Sequence, residues 1–110
     1  MKMDVHGDGF IKTYGIENAL QTPRLRQLVD SDIPLAITTD GFRAASYNPW
    51  IGISWMITGK SVSGSEILAV DKRLTREEAL KLFTVGPTWI EHSDSELGKL
   101  FPATWQILYC

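Results

Sequence analysis

Apolar and polar positions along this chain follow patterns that predict helices joined by loops, with one short strand. In the segment 22–30 the apolar residues fall at helical spacing, and Thr22 followed by Pro23 is a typical helix start. The glycine-containing segment 1–15 has no such period and predicts a loop. Residues 16–20 predict a single helical turn. The first third of the chain is therefore expected to be a loop followed by two short helices.

The segment 33–50 is the centre of the predicted fold. Residues 34–39 form an apolar run followed by two threonines, which predicts a short buried strand. The strand would end at Asp40, followed by a glycine that lets the backbone turn, and Asn48 followed by a proline would start the next helix. α/β enzymes present a catalytic carboxylate in this order of strand, acid, loop and helix, but a plain turn-forming Asp-Gly gives the same pattern.

Two further helices are predicted in the second half of the chain. Residues 49–57 are apolar on nearly all sides, which indicates a helix that is buried on most of its surface. Thr75 and Glu78 have the spacing of a capping box, so a helix should begin there, break near a Gly-Pro pair and continue as a second short piece. In the connection before this helix, Lys72 and Arg73 are expected to be solvated.

Composition and charge exclude several classes of protein. A chain of 110 residues, 44% hydrophobic and 22% charged, suits one small globular domain that spans residues 1–110. A net charge of −2 gives no electrostatic reason to expect nucleic acid or a membrane surface as a partner. The single cysteine, Cys110, cannot form a disulfide within the chain. The expected localisation is cytoplasmic, mostly by default.

Metal chemistry has few candidate ligands in this sequence. His6 and Asp8 could ligate a metal, but a metal site needs three or four convergent ligands, so a solvated loop pair fits better. His92 has no partner at a useful spacing and is expected on the surface beside a helix end. Trp50 and Trp55 could line a ligand pocket, although core packing is favoured.

Three stretches together carry a resemblance to a known family. They are TTDGFRAASYNPWIGISWMITGK, the Ser/Gly loop after it, and LTREEALKLFTVGPTWIEHSDSELGKL. Over residues 9–100 the chain resembles the C-terminal part of the metal-dependent amidohydrolases, and within them amidohydrolase family 3, the formamide-deformylase-like proteins. The combination of a strand-end acid, Ser-Tyr-Asn-Pro-Trp, a Glu-Glu-Ala-Leu helix and a Thr-Val-Gly break carries this resemblance.

The resemblance implies a fold, a reaction and one site residue. The fold would be α/β, a fragment of a (β/α)8 TIM barrel with the last barrel strand and the following helices, mostly helical on its own. The reaction would be hydrolysis of an amide or formamide C–N bond in a small-molecule substrate, with zinc or another divalent metal as cofactor. In the family an aspartate ending the last strand binds the metal and shuttles the proton of the attacking water, and by motif this residue is Asp40. Arg43, Asn48 and Trp50 follow it and receive no role.

The chain departs from the family in its other metal ligands. The family takes these from a His-x-His pair, a lysine or acidic bridge and two further histidines, whereas this chain has only His6 and His92. Asp40 would therefore bind a metal only with ligands that are absent from this chain. The expectation is a fragment that is inactive and metal-free alone and that self-associates through exposed apolar surface. The alternatives are a small non-enzymatic interaction module and a split subunit whose barrel is completed by a partner chain.

The segment 101–110 matches nothing in the family's pattern, which continues with Pro-Gly-x-Leu-Ala-Asp. One synonymous set of codons for this segment, with one base restored in the proline codon, encodes Phe-Pro-Gly-Asn-Leu-Ala-Asp-Ile-Val-Leu instead. The sequence therefore predicts that residues 101–110 are an out-of-frame tail.

Overall fold

The computed structural model describes residues 3–41 and 46–99 of the chain. Within these ranges the chain is mostly helical, as expected, and forms no β-strand. Its helices are α1 (Met3–Tyr14), α2 (Ile16–Leu20), α3 (Leu25–Asp30), α4 (Pro49–Thr58), a 3-10 helix (Val70–Lys72), α5 (Arg76–Phe83) and α6 (Val85–Ile90). None of the helices in these ranges has both the length and the apolar character that crossing a membrane requires.

Helix α1 corrects the predicted N-terminal loop. Gly7 and Gly9 both disfavour a helix, which is why the segment looked irregular in sequence. Gly7 is buried against Ile67, and a Cβ placed on Gly7 would collide with the Ile67 side chain. The absence of a side chain at Gly7 therefore lets the helix pack closely on Ile67. Packing with a residue distant in sequence outweighs the low helix propensity.

Helices α2 and α3 confirm the two predicted short helices, but the predicted cap is wrong. Helix α3 begins at Leu25, whose side chain is buried, rather than directly at Thr22. Its N-cap residue is Arg24, which makes no side-chain capping bond. Burial of Leu25, rather than a capping hydroxyl, accounts for the position of this helix.

Residues 34–39 do not form the predicted barrel strand, and this part of the expected fold is wrong for the described chain. The segment lies against α5 and α6, where the Ile37 N–H donates to the Leu82 carbonyl at 3.0 Å. The Leu35 carbonyl packs so closely on Gly86 that a Cβ there would collide with it. A strand needs neighbouring strands to pair its backbone groups, and helices cannot supply that ladder. The local strand preference is therefore not realised.

Helix α4 lies at the centre of the core and confirms the predicted helix start. The Trp50 N–H donates to Asn48 Oδ1 at 3.0 Å, and a proline occupies the first turn. The helix ends at Gly59, which adopts the left-handed conformation with a φ of 71°. Trp55 and Met56 are 1% and 0% exposed, whereas Trp50 is 63% exposed. One side of α4 therefore remains open to solvent, which the apolar composition did not indicate.

The core gathers side chains from α3, α4, α5 and the connection before α5. Its buried members are Leu25, Ile53, Trp55, Met56, Ile67, Leu68, Leu74, Ala79 and Leu82. The N–H groups of Ile67 and Leu68 donate to the Gly59 carbonyl at 2.8 and 3.1 Å, which fixes the connection to the end of α4. The connection before α5 showed no periodic pattern of apolar residues in the sequence because it is a loop. Contacts with distant parts of the chain decide which of its side chains are buried.

Helix α5 begins with the predicted capping box. The Glu78 N–H donates to Thr75 Oγ1 at 3.2 Å, and the Thr75 N–H donates to Glu78 Oε2 at 2.8 Å. Arg26 on α3 donates to both carboxylate oxygens of Glu78, at 2.9 and 2.6 Å. Arg26 first, and then the Thr75 backbone, lower the pKa of Glu78 to about 2. One carboxylate thus starts α5 and joins it to α3.

Arg73 corrects the prediction of a solvated side chain. Its guanidinium donates to the Leu68 carbonyl at 3.2 Å and pairs with the Glu66 carboxylate, and 19% of the side chain is exposed. A Cβ on Gly59 would collide with this guanidinium. Arg73 therefore holds the connection against the end of α4, in the space that the glycine leaves.

Candidate functional site

Asp40 is the candidate catalytic residue, and its carboxylate lies on the surface of the described chain. Its backbone φ is 54°, a left-handed conformation that aspartate tolerates better than most residues. The Asp40 N–H donates to Thr38 Oγ1 at 3.4 Å, a local bond typical of a turn. The acid therefore stands at the end of the segment 34–39, as predicted, but on a turn rather than at the end of a strand.

Two of the residues that follow Asp40, Asn48 and Trp50, have other contacts in the structure. Asn48 is occupied as the cap of α4, where its oxygen accepts the Trp50 N–H. Trp50 is exposed at the start of α4 and lines a different surface, described below. Arg43 lies outside the described residues. Asn48 and Trp50 therefore receive no role beside Asp40.

The pair His6 and Asp8 lies on helix α1 rather than on a loop. Residues two apart on a helix point to different sides, so the two side chains do not converge on one ion. Asp8 accepts a hydrogen bond from the Ser63 hydroxyl, and bonds from Ser63 and then Ser65 lower the pKa of Asp8. This carboxylate therefore holds the Ser/Gly loop against α1. His92 is exposed just after α6, which confirms the predicted surface position.

The residues present do not fit the metal that the resemblance implies. Within residues 3–41 and 46–99 no three His, Cys, Asp or Glu side chains are grouped so that they could hold a metal ion. The whole sequence has two histidines and one cysteine. A zinc site needs three or four protein ligands, and Asp40 alone supplies one. The described residues of this chain therefore do not hold a catalytic metal by themselves.

A groove of about 360 Å³ lies beside α4. Its lining residues are Trp50, Ile51, Ser54, Trp55, Lys60, Ser61 and Val62. Trp55 is 1% exposed and belongs to the core as well as to the groove, which confirms core packing for this tryptophan. Trp50, for which core packing was also favoured, is 63% exposed, so that prediction is wrong for Trp50.

Trp55 also carries a polar atom that the fold leaves unpaired. Its indole nitrogen, Nε1, is buried and finds no hydrogen-bond acceptor among the described residues. Leaving a buried donor unpaired costs about 1 to 3 kcal/mol. The ring was recognisable from sequence as a core residue, but nothing in the sequence indicates an unpaired N–H.

Comparison with known families identifies the family of this chain. Residues 1–103 match the family model described as the amidohydrolase family. The chain belongs to the amidohydrolase family. This confirms the resemblance at family level and indicates a hydrolase-type function. No curated protein and no solved structure matches the chain.

Sequence reasoning missed the groove of this amidohydrolase. Its second wall is the segment 60–62, which folds back along α4 after the left-handed turn at Gly59. A Ser/Gly-containing loop was visible in the sequence, but its return across Trp50 and Ser54 depends on the whole fold. The one local indication that the chain turns here was the glycine that ends α4, which is followed by a lysine.

Proposed function

We propose that this amidohydrolase chain supplies the Asp40-bearing C-terminal part of a formamide-deformylase-like TIM-barrel hydrolase. The enzyme would hydrolyse a non-peptide C–N bond, and the chain is inactive alone. The observation that carries the proposal is an exposed Asp40 carboxylate with no metal-holding group among the described residues. Membership of the amidohydrolase family favours this function over a non-enzymatic interaction module.

The chemistry of amide hydrolysis explains why one carboxylate is useful but not enough. Water must lose a proton as it attacks the carbonyl carbon, and the nitrogen must gain one before the C–N bond breaks. A carboxylate in the position of Asp40 can accept the first proton and return it to the nitrogen. The negative charge that develops on the carbonyl oxygen needs a separate donor or cation, which a carboxylate cannot be. The remaining groups must therefore come from outside the described residues.

The exposed apolar side chains support completion of the site by association. The large hydrophobic residues that are exposed in the described chain include Tyr14, Ile16, Leu28, Ile33, Tyr47, Trp50, Val62, Val70, Leu80, Trp89 and Ile90. Extensive exposed apolar surface is typical of interaction sites. This favours self-association, or a partner chain that carries the missing histidines.

The proposal is tested by metal content and by hydrolysis of a panel of formamides. The chain alone should hold less than stoichiometric zinc after dialysis, measured by mass spectrometry of the metal, and should show no turnover. Tight binding of one zinc per chain, or turnover that is lost in Asp40→Asn, would overturn the fragment interpretation.

A complementation experiment tests the assigned role of Asp40. A polypeptide encoded next to this gene that carries a His-x-His motif is mixed with the chain, and formamide hydrolysis is measured. Asp40→Asn should abolish the restored activity. Asp32→Asn is the matched control, because Asp32 is also exposed and has the same φ of 54°. Equal activity in both variants would exclude Asp40 as the catalytic acid.

A further inference from the structure

The groove beside α4 has an apolar wall on each side. Trp50 stands on the α4 side and is 63% exposed, and Val62 stands on the returning segment and is 68% exposed. The buried ring of Trp55 lines the groove between them. A volume of about 360 Å³ lies within the range of small-molecule sites. Because Trp50 and Val62 are both largely exposed, one ring or a branched apolar group would be partly enclosed there.

The charge at the groove is positive. Lys60 is exposed and lines the groove, and no described residue forms an ion pair with its ammonium group. Glu66 bridges to Lys60 through the backbone and could have neutralised it, but its carboxylate pairs with Arg73 instead. No acidic side chain lines the groove. An anion is therefore the charge that this lining favours.

We propose that the groove formed by α4 and the segment 60–62 binds a small organic carboxylate with an aromatic or branched apolar body. The body lies between Trp50 and Val62, and the carboxylate accepts hydrogen bonds from the Lys60 ammonium. The Ser54 hydroxyl at the groove can donate a further bond. The Trp55 nitrogen is buried, so its N–H does not take part in the binding. The site does not include Asp40, and its Trp50 and Val62 also belong to the exposed apolar side chains that favour association.

The groove has the mixed character of ligand sites rather than that of a purely apolar patch. Ligand pockets combine apolar walls with a few polar groups that orient the molecule. Here Trp50 and Val62 give contact area, and Lys60 fixes the end of the groove at which a carboxylate is bound. A neutral ligand of the same shape keeps the apolar contacts and loses the pairing with Lys60.

The proposal is tested with 4-phenylbutanoate and its neutral analogue 4-phenylbutanamide, titrated into the full chain. The readout is the indole N–H resonance of Trp50 in ¹H–¹⁵N spectra, assigned with Trp50→Phe. Trp89, which does not line the groove, is the internal reference. The butanoate should shift the Trp50 resonance with a dissociation constant on the order of 1 mM. The amide should bind roughly two- to fivefold more weakly, as expected for one solvent-exposed ion pair.

Two variants and a control separate the contribution of the Lys60 charge to binding from that of the apolar walls of the groove. Lys60→Gln should remove the difference between the two probes, and Val62→Glu should weaken the butanoate more than the amide by placing a carboxylate at the groove. Lys81→Gln is the matched control, because Lys81 is exposed on α5 and pairs with Glu77. Failure of both probes to shift Trp50, or shifts that Trp89 shares, would overturn the site. Equal binding of the two probes, unchanged in Lys60→Gln, would overturn its preference for a carboxylate.

Discussion

At the scale of single residues, the structure assigns structural roles to charged groups that a sequence can only mark as polar. Glu78 is the clearest example, because its carboxylate caps α5 and receives two hydrogen bonds from Arg26. The capping box was predictable from the spacing of Thr75 and Glu78. The bond to Arg26 was not, since it joins residues that are far apart in the sequence. The assignment of Asp40 as a site residue stays a prediction that rests on the family resemblance.

Glu78 should make the stability of the chain depend on pH. Its folded-state pKa is lowered from 4.5 to about 2, so its contribution is fully present above the unfolded value and is lost as pH falls toward 2. Glu78→Gln should lower the free energy of unfolding at pH 7 by about 1 to 3 kcal/mol. The variant should also flatten the loss of stability between about pH 4.5 and 2, measured by urea unfolding at each pH.

Glu77→Gln is the control for this prediction. Glu77 is the neighbouring acid on α5, and its side chain is 75% exposed where it pairs with Lys81. Its loss should change the free energy of unfolding by less than about 0.5 kcal/mol. If both variants lower the free energy of unfolding equally, the ion pair between Arg26 and Glu78 contributes no more stability than an ordinary surface pair.

At the scale of elements, local signals located the helices that begin with a cap, and non-local contacts decided the others. Helices α4 and α5 were predictable because Asn48 and Thr75 are typical N-cap residues. Helix α1 was missed because the packing of Gly7 on Ile67 does not show in a local pattern. The strand at 34–39 was predicted from propensity alone, and a strand forms only where other strands pair with it.

The two glycines of α1 should respond in opposite ways to alanine. Alanine favours a helix over glycine by about 1 kcal/mol, so Gly9→Ala, with no atom within 4 Å of the new Cβ, should stabilise the chain by about 0.5 to 1 kcal/mol. In Gly7→Ala the new Cβ would collide with Ile67, and this should destabilise the chain by about 1 to 3 kcal/mol. Urea unfolding measures both, and stabilisation by Gly7→Ala would mean that α1 does not pack on Ile67.

At the scale of the whole molecule, a modest core accompanies a considerable exposed apolar surface. The core of α3, α4 and α5 is closed around Trp55 and Met56, while Trp89 and Ile90 at the end of α6 are 48% and 53% exposed. The sequence indicated a high content of apolar residues but did not indicate which of them would be exposed to solvent. That distinction depends on tertiary packing.

The isolated chain is expected to self-associate through this surface. Sedimentation velocity should show species larger than the monomer at micromolar concentration, and a hydrophobic dye should bind. Replacing Trp89 and Ile90 together by serine should shift the population toward monomer without unfolding, because both side chains are exposed. A monodisperse wild-type monomer with a sharp cooperative melt would argue for a self-sufficient domain instead.

The out-of-frame hypothesis for residues 101–110 concerns a segment that lies outside the described residues. The family match covers residues 1–103, and the hypothesis stays a prediction. The gene's nucleotide sequence should encode Gly-x-Leu-Ala-Asp in an alternative frame at this point, and deletion of residues 103–110 should leave the free energy of unfolding unchanged. Codons that cannot give this motif in either alternative frame would refute the hypothesis.

The close packing around Gly59 limits which amino acids can replace this residue. Its φ of 71° disfavours most side chains, a Cβ there would lie 2.5 Å from the Leu68 carbonyl oxygen, and the Cβ would also meet the Arg73 guanidinium. Because the three constraints coincide, no single compensating change elsewhere would make room for another residue. In a library that samples every amino acid at each glycine, position 59 should retain glycine alone, whereas position 9 should accept most replacements. Drift in this chain should therefore be concentrated away from the turn that ends α4.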